Sequence, residues 1–441
     1  MSTPRGMPEG EGRMEGPEDS GADTTDGAGS AGATDIDWWS TLADPGFLRH
    51  PYPELARLQA LGPVHFDQRS GVYFVLGHAA FARIVKAPQM GRDTRHWADG
   101  WCSEAYRARD PLGYRLFSEF HPQMINMDGA DHARMRGVYE PAFRAQPTKA
   151  LVPLVEAEAR RLLDALPRRG SVDFMEAYAG PLPLRVLCAL FDIPESLDET
   201  IGRWSASLIR IGDIMMTPDQ KREALDALTE FKAFLREMVA ARRAAPCDSL
   251  MDMAIRAYDA GTLNEEETLT NLVSMLIAGH ETTVTLIGNG MLLLLRHPDQ
   301  MARLRADPGL MRPAVEEFLR LEPGGNMILR IAREDFEVEG TVIPAGAPVI
   351  GLIGAINRDP DRFADPHACD IGRGGNAHFT FGGGAHFCIG APLARLEAQV
   401  AFSELLARFP RIDPDGPEHW RLDRLNARGL ARLPVRLEAA S

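Results

Sequence analysis

The stretch Phe381-Gly382-Gly383-Gly384-Ala385-His386-Phe387-Cys388-Ile389-Gly390 decides how this chain is read. It sets a single cysteine in a glycine-rich loop, with a phenylalanine seven positions before it and a histidine two before it. A thiolate with no second cysteine nearby is poor material for structural zinc. It suits a metal already held by another group, such as haem iron. There a soft, electron-rich sulfur pushes electron density toward dioxygen on the opposite side and favours O–O cleavage. The glycines let the backbone pass close to a flat macrocycle and leave N–H groups free to point at the sulfur.

Blander readings of the same region carry less. A free loop cysteine is commonly inert packing. A zinc site drawn from His367, Cys369, His378, His386 and Cys388 contains no C-x-x-C or H-x-x-x-H pair. Gly372-Arg373-Gly374-Gly375-Asn376-Ala377 matches a dinucleotide fingerprint by letter. His378-Phe379-Thr380-Phe381 and more glycine follow it, so no helix N-terminus is expected there to hold a pyrophosphate.

Composition sets the frame. The chain has 441 residues, 45% hydrophobic and 25% charged, which is globular material with length for a large core. No linker-like break follows residue 35, so one large domain over 35–441 is expected. The five cysteines, Cys102, Cys188, Cys247, Cys369 and Cys388, are odd in number and scattered, as reduced cytoplasmic thiols are. A formal net charge of −14 argues against nucleic acid and against an anionic membrane surface. Residues 1–34 are rich in Gly, Ser, Thr, Asp and Glu and read as a disordered acidic tail. They lack the basic and apolar regions of a secretory signal. The longest apolar stretch, Leu272 to Leu295, is broken by His280, Glu281 and Asn289, so no membrane helix is expected and the protein reads as soluble.

Patterning predicts a mainly helical body with small β-sheets at one side. A short helix is expected over 53–61, then a hairpin of 64–66 and 72–76 turned at Gln68–Gly71. Helical periodicity dominates from Asp131 to about Arg320, with long stretches at 151–166, 220–243 and 264–296. Short strands are expected at 330–338 and 348–352, and a helix over 392–408. No internal repeat is seen. Asn264 with Glu267 three residues on makes a capping-box start for the longest helix. About 30 residues at ~1.5 Å rise give a rod of roughly 45 Å. In its centre lies Ala278-Gly279-His280-Glu281-Thr282-Thr283. An acid and an alcohol in a buried helix cost free energy unless something uses them. Gly279 weakens the helix by about 1 kcal/mol relative to alanine. The combination suggests a local opening that faces a ligand, and its plain alternative is a satisfied polar insertion that bends the helix.

In their order, these motifs resemble those of the bacterial, soluble cytochrome P450 family over residues 36 to 441. Phe381, Gly384, His386, Cys388 and Gly390 fill its cysteine-loop pattern, and Ala278–Thr283 its oxygen-binding motif. Glu317-Phe318-Leu319-Arg320 fills its E-x-x-R motif. Asn357-Arg358-Asp359-Pro360 and Asp361-Arg362-Phe363-Ala364-Asp365-Pro366 match the segment leading into the cysteine loop. His132-Ala133-Arg134-Met135-Arg136 matches the helix that supplies haem-propionate partners. Arg428-Gly429-Leu430 with Leu433-Pro434-Val435 resembles a C-terminal hairpin. The family often has phenylalanine where this chain has Cys369.

The resemblance implies a single large domain that encloses haem b beside the long helix. It implies Cys388 as the iron ligand, with Phe381, Gly384 and Gly390 shaping the loop around the sulfur. His132, Arg136, Arg330 and His386 are the implied propionate partners, and His132 and Arg136 lie four apart on one helical face. Glu317 and Arg320 are an implied structural lock, joined by Arg373. Glu281 and Thr282 are the implied proton relay. The implied reaction is monooxygenation, by hydroxylation or epoxidation, of a hydrophobic small molecule in natural-product (secondary metabolite) biosynthesis. Dioxygen is the co-substrate. Electrons come from NAD(P)H through separate proteins, a ferredoxin and its reductase. A carrier protein bearing the substrate is compatible with this reading. A peroxide-using or isomerising haem-thiolate enzyme, or a haem sensor or carrier, is the alternative; retention of both Glu281 and Thr282 argues against it. Substrate contacts are expected from 90–124, 205–217, 273–278, 324–329 and the tip near Asn426. Met215, Met216, Met327 and Ile328 suggest an adaptable apolar lining.

Overall fold

The helix that starts after Asn264 organises the molecule. Asn264 Oδ1 accepts from Glu267 N at 2.9 Å and Glu267 Oε2 accepts from Asn264 N at 3.0 Å, the reciprocal capping box expected from sequence. Three glutamates in the first turn and Arg296 in the last complement the helix dipole. In the computed structural model, which describes residues 36–213 and 215–439, this central helix runs Glu265–Arg296. The tail expected over 1–34 lies outside the described residues.

Two apolar cores meet along that helix. Leu269, Leu272, Val273, Met275, Leu276 and Ile277 belong to one, together with Phe191 and Phe231. Val284, Leu286, Ile287 and Met291 to Leu294 belong to the other, together with Phe318 and Phe402. The motif Ala278–Thr283 falls on the seam between them. Gly279 is there for packing as well as for its small size: a Cβ on it would meet Leu187 Cδ1 at 2.9 Å, so glycine lets the helix Pro181–Phe191 approach.

The other long helices stand where periodicity puts them, at Val152–Asp164, Pro218–Ala244 and Ala391–Arg408. The short helix Tyr52–Gln59 and the hairpin of β1 (Val64–Asp67) and β2 (Val72–Val75) also form. With β3 (Met90–Gly91), β4 (Met327–Ala332) and β5 (Pro348–Leu352) they make a five-stranded sheet of order β1-β2-β5-β4-β3. It is antiparallel except where β2 runs parallel to β5.

Two expectations are corrected. The strand expected over 330–338 is two strands, β4 and Phe336–Val338, because the polar run Arg333-Glu334-Asp335 turns the chain between them. The expected C-terminal hairpin does not form: Leu430–Arg432 pairs with His419–Trp420, whereas Pro434–Glu438 pairs with Arg169–Asp173 and Arg411–Pro414. Only Leu433 separates the two strands, too little for a hairpin, so each extends a different sheet.

The Glu317–Arg320 pair is fully buried. Arg320 Nε and Nη2 donate to the two carboxylate oxygens at 2.8 and 2.7 Å, and its remaining N–H groups donate to the carbonyls of Asn357, Pro366 and Ala368. Arg373 Nε, Asn376 Nδ2 and Asp370 N complete the shell of Glu317. Burial works to raise the Glu317 carboxyl, but these donors outweigh it and hold it below its ordinary value. Glu317→Ala should therefore cost about 3–5 kcal/mol, since Arg320 is left as an uncompensated buried charge. Chemical denaturation should register that loss, and haem content should fall with it.

Candidate active site

The cysteine loop is tied at both ends. Cys388 N donates to Phe381 O at 2.9 Å, and the chain then enters the helix Ala391–Arg408. Gly384 is required by conformation and by space: its φ is +68°, and a Cβ would lie 1.9 Å from Val85 O. Gly390 has an ordinary φ of −81°, and a Cβ on it would stand in ordinary contact 4.0 Å from Cys388 Sγ, so neither conformation nor space requires glycine there. Cys388 is exposed along one face and ringed by protein on the others. Burial pushes its thiol up, whereas backbone N–H groups of Gly390 and Ala391, Arg136 and Arg395 pull the other way, toward thiolate. Phe381 packs under the Arg395 guanidinium at 4.5 Å from the ring centroid. Arg395 is ion-paired to Glu316, which also contacts His378. Glu316 and Arg395 were not expected from the sequence.

The cationic residues converge. His132 and His386 rings lie 4.2 Å apart, and Arg136 Nη1 donates to Phe387 O at 2.9 Å. Arg330 is buried and donates to the carbonyls of Leu329 and Gly383. Burial, with His386 and Arg136 nearby, lowers His132 to about 4. Burial alone lowers Arg330 most, to about 9, so it stays cationic at neutral pH. Asp128, also unexpected, receives His386 Nε2 at 3.1 Å. No carboxylate lies within ion-pair distance of Arg136 or Arg330 among the described residues. Cations without a carboxylate partner, Arg330 buried and Arg136 half-buried, fit a ligand that brings its own carboxylates, as haem does.

A second observation fits a macrocycle. Along the otherwise buried centre of the long helix, Ala278 and Thr282 are exposed and one turn apart. Thr282 Oγ1 donates to Ala278 O at 2.6 Å. Glu281 is buried and accepts from Arg421 Nη1 at 3.1 Å and Arg424 Nη1 at 3.4 Å. The acid and the alcohol thus make no hydrogen bond to each other. Glu281 borders a cavity of about 390 Å³ with Glu176, His280 and Arg421.

A separate cavity of about 250 Å³ is bounded by all five segments expected to meet substrate. They contribute, among others, Trp101, Asp213, Ile277, Leu329 and Asn426. The lining is aromatic and not methionine-rich, with Trp39, Trp97, Trp101, Phe117 and Phe120 around it. Of the four residues proposed as an adaptable lining, only Met327 is there. Met215 is exposed, Met216 is buried in a core cluster, and Ile328 packs against the core below the sheet. Trp39, Val72 and Ile350 were missed, because the sheet and the first helix reach the cavity only through tertiary packing.

Among the described residues no cluster of three or more His, Cys, Asp or Glu side chains could hold a metal ion, and no helix is long and apolar enough to cross a membrane. The lone Cys388 stands in a loop whose carbonyls at Phe387 and Gly383 receive Arg136 and Arg330, the arrangement of a haem-thiolate protein. The chain belongs to the cytochrome P450 family, whose model matches residues 196–308 and 309–438. It is 38% identical over 413 residues to 6-deoxyerythronolide B hydroxylase of Saccharopolyspora erythraea, covering 91% of this chain and 96% of that one. It is 36% identical over 401 residues to the cytochrome P450 monooxygenase PikC of Streptomyces venezuelae, covering 88% and 92%. The solved structure of P450BioI with an acyl carrier protein superposes with TM-score 0.82 at 32% identity, covering 89% of this chain and all of that one. The protein is a haem-thiolate monooxygenase that uses haem iron, dioxygen and electrons from NAD(P)H delivered by redox partners.

Cys388→Ala should abolish the red-shifted Soret band of the reduced carbon-monoxide complex. Cys369→Ala should keep it, because Cys369 packs against the core and burial pushes its thiol up to about 12. The reverse pattern in the difference spectra would sink the assignment of the ligand.

Proposed function

We propose that this enzyme hydroxylates or epoxidises a hydrophobic natural product in a cytoplasmic pathway of secondary metabolism. The observation that carries the reading is the exposed Thr282 on the seam of a buried helix, in a chain whose Cys388 loop meets every family position. Haem, when bound, would supply the iron that activates dioxygen, and Cys388 would ligate it. His132, Arg136, Arg330 and His386 would hold its propionates, and Phe381, Gly384 and Gly390 shape the loop. A ferredoxin and its reductase supply the electrons.

Glu281 and Thr282 move protons. Glu281 borders a polar cavity roomy enough for water, and Thr282 follows it in the chain. Arg421 and Arg424 keep the Glu281 carboxylate oriented toward that water. Thr282, at the exposed face, holds the final donor close to the substrate side. Correct positioning matters here as much as pKa.

The aromatic lining of the 250 Å³ cavity favours rigid, apolar substrates over flexible ones. The hydroxylase of 6-deoxyerythronolide B, the tirandamycin C-bound monooxygenase TamI and CxnD of chuangxinmycin biosynthesis carry such compounds in their names, which supports that class. The carrier-bound P450BioI structure keeps a carrier-tethered substrate within the reading.

Thr282→Ala should separate oxygen chemistry from substrate binding. Losing one hydroxyl and one methyl changes little apolar contact, so substrate affinity should stay nearly constant. NAD(P)H oxidation should continue while product falls by ~10-fold or more, with hydrogen peroxide released instead. Tight coupling of NAD(P)H to product in this variant would show that protons arrive by another route.

A further inference from the structure

A third arginine enters the cation cluster from a different part of the chain. Arg92 follows the two-residue strand β3, which Asp128 pins in place: its carboxylate accepts from Arg92 N at 2.9 and 3.0 Å and from Asp93 N at 3.0 Å. Gly91 makes that approach possible, since a Cβ there would lie 2.1 Å from Asp128 Oδ2. The Arg92 side chain is held only by neutral acceptors. Its Nε donates to Ile125 O at 3.3 Å and its Nη1 to Leu329 O at 3.5 Å. Arg330 Nη1 donates to the same Leu329 oxygen at 2.9 Å. A buried guanidinium, that of Arg330, and a half-buried one, that of Arg92, thus converge on one carbonyl.

Such crowding is costly unless an anion joins them. Asp128 is the resident carboxylate, and its oxygens are committed to His386 and to backbone N–H groups. Burial lowers Arg92 to about 10, so it remains charged at neutral pH. Arg92 and Arg330 thus face a single carboxylate, one charge short of balance. Haem has two propionates.

We propose that Arg92 is a further propionate partner, sharing one carboxylate of haem with Arg330. This rests on the haem-thiolate reading of Cys388. It also ties the wall of the substrate cavity to the cofactor, because Arg92 borders that cavity beside Ile125, Asn126 and Leu329. A carboxylate on a substrate is the other source of the same chemistry, and the test separates the two.

The measurement is transfer of haem from the holoenzyme to excess apomyoglobin, followed by absorbance. Arg92→Gln should lose haem about 10-fold faster than the unaltered enzyme, and Arg92→Lys should fall between, because an ammonium replaces the charge but not the planar fork. Both variants should keep the red-shifted band of the reduced carbon-monoxide complex, so that failure here is distinguishable from failure of Cys388 ligation. Affinities for myristic acid and for methyl myristate should change by the same factor in each variant. Unchanged haem transfer overturns the proposal. Unchanged transfer with selectively weaker binding of the acid would assign Arg92 to a substrate carboxylate instead. Should Arg92→Gln give no folded holoenzyme, Arg92→Lys decides, and a transfer rate equal to that of the unaltered enzyme overturns it.

Discussion

A carboxylate and a guanidinium with no exposure to solvent, Glu317 and Arg320, fix the geometry on which the cysteine depends. From them a chain of hydrogen bonds leads to the sulfur loop. Arg320 holds the carbonyl of Asn357, whose side chain receives Phe379 N and donates to Thr380 Oγ1. Thr380 Oγ1 reaches back to Leu319 O, and Phe381 O then receives Cys388 N. A buried ion pair contributes little net stability where apolar residues of equal volume would pack as well. Its effect here is specificity. Glu317 and Arg320 meet bonding partners at Asn357, Pro366, Ala368, Asp370, Arg373 and Asn376, in a segment with little regular structure. Without them that segment has no ladder of its own to define its path.

The central helix imposes the second constraint. Each half is anchored in its own apolar core, so the polar motif at Ala278–Thr283 is held by packing on both sides. Glu281 then needs partners that the cores do not offer. Arg421 and Arg424 come from the irregular segment between His419–Trp420 and Leu430–Arg432. Rigid elements thus set where the acid and alcohol stand, and a loop from the far end of the chain sets the charge around the acid.

Most of the fold was legible because its signals are local. The capping box at Asn264 and Glu267, the turn at Gln68–Gly71 and the apolar periodicity of the long helices need no tertiary information. The corrected elements are those whose state is decided across the chain. Arg428–Leu430 and Leu433–Val435 read as the two sides of one hairpin, yet the strands there are claimed by partners near 419 and near 170 and 411. The site shows the same division. Cys388, His386, His132 and Arg136 were offered as candidates by motif, and Arg330 by family resemblance alone. Asp128, Arg92, Glu316, Arg421 and Arg424 were not, because each acts through a neighbour distant in sequence. The methionines proposed for the cavity failed for a related reason. Side-chain softness says nothing about which way a loop residue points, and Met215 and Met216, adjacent in sequence, ended one exposed and one buried.

The cavity wall is held by polar bonds more than by packing. Asp213 is buried and receives Leu425 N at 2.6 Å and Met215 N at 3.0 Å, which joins the loop before the helix Pro218–Ala244 to the segment that carries Asn426. Arg210 and Asp423 pair beside it at 2.8 Å. Burial raises the Asp213 carboxyl, and the backbone N–H groups of Leu425 and Met215 work against that rise. On the opposite wall Asp128 does the same for Arg92 and Asp93. Loops secured at a few charged points tolerate changes of side chain between those points. The aromatic positions at Trp97, Trp101, Phe117 and Phe120 lie in such an interval. Substrate preference can therefore shift through them while the Glu317–Arg320 pair and the Cys388 loop, which is tied to that wall through Arg330 between Leu329 O and Gly383 O and through Asp128 and His386, keep the chemistry constant.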